Sequence, residues 1–457
     1  PATTQSGVVD ISAGATLIAG GNLTNAGGGV IQGLGTLDLA SFTLTNLGTI
    51  SPGGSGFAST LAVTGNVDLA TGTLDLDLGG TGAGQSDLLA VTGNVTLGGT
   101  ANTTLISGYT PLNADFIPIV TATGTRSGSF GTLNALTGFA AGYSLAAGEA
   151  ARLIYTQDPL TKIFTNAIGN LDWGTAGNWA GGQPGAPDTA LISAGYAVTH
   201  ASGNDTITAL SISSGNSLDV SGGSLTVTGA TTLGGSLSVS GTGAATLGGL
   251  LNGATGSLNL FAGVLTLNAA SVVNNFALGA GTLAGSGDLT VTGIFDASGQ
   301  NATMAGTGTL ATNGSASIAL VNTGSGAITL ARPWVNNGTL LIGDDDQLRL
   351  DNGAVFTNAA GGSVVLASVA PAVITTVPAA TSSVANAGTM TLSDAARHSI
   401  DATNFSNTGT VDAGIGHLAV SGSGSDTGTY TVPLGARLEF FGGSRTLAAG
   451  SDITGLG

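Results

Sequence analysis

The heptapeptide Leu-Ala-Val-Thr-Gly-Asn-Val occupies residues 61–67 and returns unchanged at residues 89–95, 28 positions later. A shorter version, Leu-Thr-Val-Thr-Gly, follows at residues 225–229 and 289–293. Apolar and polar residues alternate in each copy, which is the period-2 pattern of a strand with one buried face. A strand that returns at a regular interval is typical of a repeat fold in which each unit packs on its neighbours.

A second repeated unit is an asparagine followed two residues later by glycine. Within each group of copies the interval is 21 to 28 residues, which is too short for a propeller blade and suits one coil of a solenoid. Glycine supplies the positive φ angles that tight corners between short strands require. The copies lie at Asn25, Asn46, Asn336, Asn386 and Asn407, with a looser copy at Asn358.

These repeats predict an all-β fold, a right-handed parallel β-helix (β-solenoid) with Gly/Thr/Asn-rich coils of about 21–28 residues. Composition agrees, because 79 of the 457 residues are glycine and only 7% are charged. Two glutamates and one lysine leave too few residues for exposed helical surfaces. A hydrophobic content of 42% likewise excludes a disordered chain. With coils about 4.8 Å apart, the rod would be on the order of 100 Å long.

The charge balance restricts the partners. Twenty-five acidic residues against eight basic ones give a net charge of −17, so we expect no nucleic-acid partner and no anionic membrane surface. The most apolar region, residues 136–154, is broken by polar residues and glycine, and we expect no membrane insertion. The absence of cysteine excludes disulfides and thiolate metal sites. Residues 1–5 lack signal-peptide character, so we expect any secretory signal to have been removed already or to lie upstream, and the repeat pattern at residue 457 suggests further repeats beyond it.

Two changes in pattern divide the chain into consecutive solenoid segments. The first segment is predicted to span residues 1–157, with an aromatic-rich closing region at 105–157. Residues 158–170 read as a linker. The second segment is predicted to span 171–457 and to open with a cap that contains Trp173 and Trp179.

Several stretches resemble the repetitive passenger regions of large secreted bacterial surface proteins, the autotransporter and filamentous-haemagglutinin-like adhesins. The stretches that carry this resemblance are residues 46–54, 86–93, 108–111, 173–188, 306–310 and 438–443. The resemblance covers nearly the whole chain, and it lies in the amino-acid composition and the general character of the repeats. It implies a β-solenoid on the cell surface or outside the cell.

From the repeats and the resemblance we expect a structural protein. Its expected role is a stiff rod, stalk or filament, secreted to the cell surface or extracellular matrix and used in adhesion or biofilm. The expected partners are further copies of the chain, joined end to end or laterally, or glycans on host or neighbouring cells. The alternative is a β-helix that binds or degrades polysaccharide.

Few residues are candidates for a functional site. Asp344, Asp346 and Asp351 form the one calcium candidate, although the spacing departs from the alternating ligands of a Ca²⁺ loop and a solvated corner turn is the favoured interpretation. Apart from this calcium candidate we expect no cofactor. Trp173 and Trp179 are candidates for stacking on sugar rings, whereas their position favours a structural cap over the open core.

An enzyme is not expected, and no catalytic residue is proposed. Carboxylates for sugar chemistry are available at Asp219, Asp288 and Asp296, but the eight basic residues are scattered along the sequence without a cluster. The three histidines show no metal-binding spacing, and we expect them on the surface.

Overall fold

The structure, a computed structural model, describes residues 2–112, 115–136, 138–143, 148, 150–155, 160–320 and 326–457. The chain forms a parallel β-solenoid of about 21 turns with 55% of its residues in strands, which confirms the predicted all-β solenoid. The described ranges contain no α-helix, and one short 3₁₀ helix spans Ala176–Asn178. Coils vary in length more than predicted, because the residues that meet in adjacent coils are separated by 18 to 32 positions.

The chain divides into two compact units, Pro1–Pro184 and Gly185–Gly457. The division falls after Trp173 and Trp179, so both tryptophans belong to the first unit. The predicted segments differ from this division, because they place a linker at 158–170 and assign both tryptophans to the second segment. Residues 156–159, where the predicted first segment ends and the linker begins, lie outside the described residues.

The first unit contains two sheets and a short strand pair. Its 11-stranded sheet comprises Thr3–Gln5, Thr16–Ile18, Leu23–Asn25, Thr36–Asn46, Thr60–Leu69, Leu88–Val91, Val95–Leu97, Phe116–Ala122, Arg126–Gly128, Phe139–Tyr143 and Ala151–Tyr155. Its six-stranded sheet comprises Val8–Ile11, Val30–Gly33, Thr49–Pro52, Thr73–Leu78, Thr100–Leu105 and Thr132–Asn134. The strands Thr161–Phe164 and Trp179–Ala180 pair in antiparallel orientation.

The parallel stacking of the first unit stops inside the region that was predicted to close the segment. Strand Phe116–Ala122 pairs in parallel with Leu88–Val91 on one side and antiparallel with Ala151–Tyr155 on the other. Phe139–Tyr143 then pairs antiparallel with Ala151–Tyr155. The change in orientation gives the last coil partners that are not further coils, which covers an otherwise open strand edge.

Each regular coil of the second unit contributes three strands to three parallel ladders. The first two ladders together contain Thr189–Ile192, Ala197–His200, Ala209–Ile212, Ser217–Val220, Thr231–Leu233, Ser236–Val239, Leu251–Leu260, Ser271–Leu278, Leu289–Val291, Ile294–Ala297, Leu310–Thr312, Ser315–Ile318, Trp334–Asn336, Thr339–Ile342, Val355–Asn358, Ser363–Leu366, Ser383–Asn386, Thr389–Leu392, Asn404–Asn407, Thr410–Asp412, Thr429–Val432 and Asp452–Gly455.

The third ladder of the second unit is a separate 12-stranded sheet. It contains Asn204–Ile207, Ser224–Val227, Ala244–Leu247, Val264–Leu267, Thr282–Ala284, Thr303–Met304, Ala327–Leu330, Gln347–Leu350, Ala372–Thr376, Arg397–Ile400, His417–Ser421 and Arg437–Phe441. Gly424–Asp426 and Arg445–Leu447 form an additional pair.

The core of each unit is built from the inward positions of these strands. In Ser224–Val227, for example, Leu225 and Val227 are buried while the serine and threonine beside them are partly exposed. Burial of one such aliphatic side chain contributes about 1.5–3 kcal/mol. In the second unit, four buried aromatic rings also pack against one another at centroid distances of 5.3–5.5 Å, one pair stacked and two pairs edge to face, and they belong to Phe276, Phe295, Trp334 and Phe356.

The repeated asparagines of the second unit stack as a buried amide ladder at one corner. The Nδ2 of Asn336 donates to Oδ1 of Asn358 at 2.9 Å, Asn358 donates to Asn386 at 2.8 Å, and Asn386 donates to Asn407 at 2.9 Å. Each amide also donates to a backbone carbonyl of the adjacent coil. The Asn-x-Gly repeat is thus a chain of side-chain hydrogen bonds that joins neighbouring coils.

A shorter amide ladder lies in the first unit. The Nε2 of Gln5 donates to Oδ1 of Asn25, whose Nδ2 donates to Oδ1 of Asn46 at 2.6 Å. Asn46 donates in turn to the carbonyl oxygen of Thr73 at 3.1 Å. Because Asn25 and Asn46 are buried, these bonds replace contacts with water that folding removes.

Candidate functional site

The three aspartates of the calcium candidate do not converge. Asp344 is exposed, whereas Asp346 is buried and its carboxylate accepts the backbone N–H groups of Leu320 at 2.6 Å and Gly326 at 3.3 Å. The strand Gln347–Leu350 separates Asp346 from Asp351, a backbone distance of about 16 Å at roughly 3.3 Å per residue. The hydrogen bonds of Asp346 give it a role in holding the corner, where burial raises the pKa of its carboxyl group.

Trp173 and Trp179 lie inside the first unit. Their rings meet edge to face with centroids 4.8 Å apart, and Trp179 packs in the same manner on Phe164 at 5.0 Å. The Nε1 of Trp179 donates to the carbonyl oxygen of Trp173 at 2.8 Å. Trp173 is fully buried and Trp179 is 4% exposed, so neither presents a ring face on which a sugar could stack. Their geometry corresponds to the structural alternative.

Two histidines that were expected on the surface are buried, and that expectation was wrong. The Nε2 of His200 lies 2.8 Å from Oδ2 of Asp205, and its Nδ1 lies 3.0 Å from the carbonyl oxygen of Gly222. His398 makes the equivalent contacts with Asp394 and the Ala370 carbonyl oxygen, at 2.5 and 2.6 Å.

These contacts place oxygen atoms at both ring nitrogens of each buried histidine. One oxygen of each pair belongs to an aspartate carboxyl group and the other to a backbone carbonyl. The hydrogen bond from His398 correspondingly lowers the pKa of Asp394. The two rings thus link an aspartate side chain to the backbone of a neighbouring coil.

Cationic side chains converge at one place on the third ladder of the second unit. Arg397 is opposite His417 in the next coil, and His417 is opposite Arg437 in the coil after that. We call these three residues the basic column. The sequence shows no cluster of bases, because consecutive members of the column are 20 positions apart. That spacing is one coil, so knowledge of the register would have revealed the cluster.

Glu439 lies beside the basic column. Its Oε2 is 3.2 Å from Nε of Arg397 and 2.7 Å from Nε2 of His417. The hydrogen bonds from Arg397 and His417 hold the pKa of the Glu439 carboxyl group below its usual value. The guanidinium of Arg397 also lies over the ring of Phe441, at 5.4 Å from the centroid. These contacts orient Arg397 on a surface where its side chain remains 46% exposed.

A buried ion pair stands at the C-terminal end of the amide ladder. In the next coil, Asp426 occupies the position equivalent to Asn407, and its carboxylate accepts the backbone N–H of Asn407 at 2.8 Å. The guanidinium of Arg445 lies 2.6 Å from Oδ2 of Asp426, and its Nη2 also donates to the carbonyl oxygen of Phe405 at 3.1 Å. A carboxylate has no N–H to donate, so this residue receives hydrogen bonds from both sides.

Arg332 is a second buried arginine, and it spans three coils. Its Nε donates to the carbonyl oxygen of Gly308 at 2.6 Å, and its Nη2 donates to that of Gly287 at 2.9 Å. Both acceptors are glycines, and a Cβ on Gly308 would lie 2.8 Å from Nη2 of Arg332. Burial lowers the pKa of Arg332, and Asp288 opposes this effect. The side chain therefore acts as a brace across neighbouring coils.

The first unit contains a buried pair of aspartates that holds a corner loop. Oδ1 of Asp87 accepts the backbone N–H of Ser59 at 2.7 Å, and Oδ2 accepts that of Asp77 at 2.9 Å. The carboxylate of Asp77 in turn accepts the N–H of Phe57 at 3.2 Å. Burial raises the pKa of Asp87 to about 7, more than its backbone hydrogen bonds lower it.

The carboxylates that the sequence offered for sugar chemistry remain apart from the basic column. Asp219 and Asp296 accept hydrogen bonds from the serines Ser240 and Ser317, both at 2.9 Å. Asp288 accepts the backbone N–H of Thr309 at 2.7 Å. Each of these bonds joins neighbouring coils.

Comparison with known proteins adds no relative. No family model, no curated protein and no solved structure matches the chain. Across the described ranges, no three or more His, Cys, Asp or Glu side chains are placed to hold a metal ion. Over the same ranges, no helix is long and apolar enough to cross a membrane.

Proposed function

We propose that the chain is a structural protein, a stiff β-solenoid segment of a secreted cell-surface or extracellular-matrix protein used in adhesion or biofilm. The observation that carries the proposal is the continuous stacking of coils in the second unit, whose three ladders run in parallel register. A buried amide ladder joins the coils from Asn336 to Asn407. The proposed class is that of the adhesin passenger regions that the sequence resembles.

The arrangement of hydrogen bonds supports a mechanical role. Each coil is bonded to the next by three strands, so bending must strain several backbone bonds at once. The buried Asn, Asp and Arg side chains add bonds between coils at the corners, where the strands end. Arg332 crosses two coil boundaries in this way, with hydrogen bonds to Gly308 and Gly287. Such a body transmits force with little change of shape.

The charge and composition suit material outside the cell. A net charge of −17 keeps neighbouring chains apart in solution, and the absence of cysteine makes the fold independent of the redox state of its surroundings. Aliphatic side chains face the core of the coils, and only 7% of the residues are charged, which leaves few charged groups for proteases or polyions to recognise.

Electron microscopy of the purified full chain tests the proposal. At physiological salt we expect straight particles of constant narrow width, either separate or joined into filaments. The same sample with a chelator tests whether the calcium candidate at Asp344–Asp351 contributes, because loss of filaments on chelation would indicate a metal-dependent contact. Globular or irregularly bent particles would contradict the mechanical role.

The proposed location needs its own test. Antibodies against the purified chain should label intact, non-permeabilised cells of the source organism or the material between them. Labelling that requires permeabilisation would refute a cell-surface or matrix location. The two tests are independent, so a stiff solenoid inside the cell would be recognised as such.

A further inference from the structure

A cavity of about 410 Å³ opens on the first unit between a glycine-rich hairpin and the strand Phe116–Ala122. The hairpin spans residues 79–86, and its Gly80, Gly82 and Gly84 line the cavity. The volume lies in the range of about 300–1,000 Å³ that is typical of small-molecule sites. Neither the calcium candidate nor the tryptophan pair contributes to it. The cavity is therefore a separate candidate binding site.

The hairpin wall of the cavity is held by its own hydrogen bonds. Oγ of Ser86 donates to the carbonyl oxygen of Gly80 at 2.6 Å and accepts the backbone N–H of the same glycine at 3.3 Å. The N–H of Gly82 donates to Oε1 of Gln85 at 2.9 Å. Directly after the hairpin, the buried carboxylate of Asp87 fixes the chain. A wall that is ordered before a ligand arrives lowers the entropic cost of binding.

The opposite wall presents an aromatic ring. Phe116 lines the cavity and is 47% exposed, whereas the next residue, Ile117, is buried. The guanidinium of the buried Arg152 lies over the Phe116 ring, 5.7 Å from its centroid. Asp115 anchors the chain just before the ring, since its carboxylate accepts the hydroxyl of Tyr109 at 2.7 Å. The ring is thus held in place while part of its surface stays open to a ligand.

Hydroxyl groups supply the polar part of the lining. Thr60, Thr81 and Thr121 face the cavity, and among the described residues no group forms a hydrogen bond with their Oγ1 atoms. Each hydroxyl can donate one hydrogen bond and accept two. All twelve lining residues are uncharged. The lining therefore combines one aromatic surface with neutral groups that donate and accept hydrogen bonds.

We propose that this cavity binds a neutral sugar ring, alone or at the end of an oligosaccharide. A pyranose has two faces of C–H groups, which pack on an aromatic ring, and a rim of hydroxyls, which both donate and accept. That combination matches Phe116 on one wall and the three threonines around the cavity. The inference goes beyond the proposed mechanical role, and either can hold without the other.

Other classes of ligand fit the lining less well. A purely apolar ligand would leave the threonine hydroxyls without partners, and a charged one would lose its hydration without gaining an ion pair. A peptide that binds by strand addition needs a free strand edge, whereas Leu88–Val91 and Phe116–Ala122 are each paired on both sides.

Ligand-observed NMR titrations of the full chain test the proposal. The probes are the methyl glycosides of glucose, galactose, mannose and N-acetylglucosamine. Two control compounds accompany them: cyclohexanol, a ring of similar size with one hydroxyl, and glycerol, which has hydroxyls but no ring. We expect at least one glycoside to bind, and both controls to bind at least about tenfold more weakly, since one hydrogen bond corresponds to a factor of about ten. Binding of none of the four glycosides would overturn the proposal, and equal binding of cyclohexanol would overturn the assignment to a sugar.

Variants locate the site. Phe116→Ala should weaken glycoside binding about tenfold, because the aromatic contact and the apolar area it buries are lost together. Thr121→Val keeps the shape of the side chain but removes its hydroxyl, and it should weaken glycoside binding about fivefold while leaving cyclohexanol binding unchanged. The matched control is Phe57→Ala, since Phe57 is a 72% exposed phenylalanine of the same unit that does not line the cavity.

An unchanged affinity in Phe116→Ala would refute the site, as would an equal loss in Phe57→Ala. Circular dichroism and the urea midpoint confirm that each variant is folded.

Discussion

Replacement of Asn358 by alanine should destabilise the second unit by about 4–5 kcal/mol. Asn358 is fully buried, and its Nδ2 contacts the oxygens of Asn386, Thr389 and Gly362 at 2.8, 3.0 and 3.2 Å. Its Oδ1 accepts from Asn336 at 2.9 Å. Two amide hydrogens and one acceptor amount to three full bonds of about 1 kcal/mol each, and the stranded Oδ1 of Asn386 adds about 1–2 kcal/mol.

Urea unfolding of the full chain, followed by circular dichroism, measures this loss. The midpoint and the slope are compared together, because repeat proteins can unfold in parts and a changed slope would reveal it. The matched control is Asn337→Ala, since Asn337 directly follows the ladder residue Asn336 but is exposed, and its side chain donates to Asn313 at 2.8 Å. We expect the control substitution to lower the free energy of unfolding by less than about 1 kcal/mol.

A second substitution separates hydrogen bonding from packing. Asn358→Asp keeps the size of the side chain but replaces its donor group with an oxygen that faces the oxygens of Asn386 and Thr389. At neutral pH we expect it to be at least as destabilising as the alanine variant, because a buried charge then lacks donors. The ladder does not stabilise the fold if the free energy of unfolding of Asn358→Asp is close to that of the wild type. The same conclusion follows if Asn358→Ala and the Asn337→Ala control have equal free energies of unfolding.

Three further predictions concern other buried contacts. Asp426→Ala leaves the guanidinium of Arg445 buried without its carboxylate, and it should cost about 3–5 kcal/mol in urea unfolding; an unchanged midpoint would contradict this. The pKa of Asp87 is raised to about 7 in the folded state, above its unfolded value of about 3.9, so the folded state binds more protons between these values. Stability should therefore fall as pH rises from about 4 to 7, and Asp87→Asn should remove that slope in urea titrations at several pH values. Gly308→Ala places a Cβ 2.0 Å from a carbonyl oxygen of the preceding coil and should cost at least about 2 kcal/mol, whereas Gly185→Ala, which has open space, should be neutral in thermal unfolding.

Much of the fold could be predicted because it depends on local pattern. Alternation in stretches such as residues 225–229 determines which side chains face the core, and the Asn-x-Gly interval determines where a coil closes. The role of the asparagines was not predicted, because their hydrogen bonds depend on exact stacking from coil to coil. A single-residue slip in register would turn each inward side chain outward.

The candidate site was less accessible to sequence analysis because its residues are distant along the chain. Arg397, His417 and Arg437 read as scattered bases until the coil length at that point is known to be 20 residues. The burial of His200 and His398 depends on acceptors supplied by other turns, which no local pattern indicates. The aspartates of the calcium candidate are the opposite case, because they are close in the sequence but do not converge in the structure.

The amide ladder of the second unit has a direction, and this bears on how such proteins change length. Each Nδ2 donates toward the C-terminal neighbour and each Oδ1 accepts from the N-terminal one, from Asn336 through Asn407. A duplicated coil that carries its own asparagine would accept from one neighbour and donate to the next, leaving every other rung as it was. Gene duplication or deletion of whole coils within this run is therefore a step that the hydrogen bonding tolerates, whereas insertion of part of a coil is not.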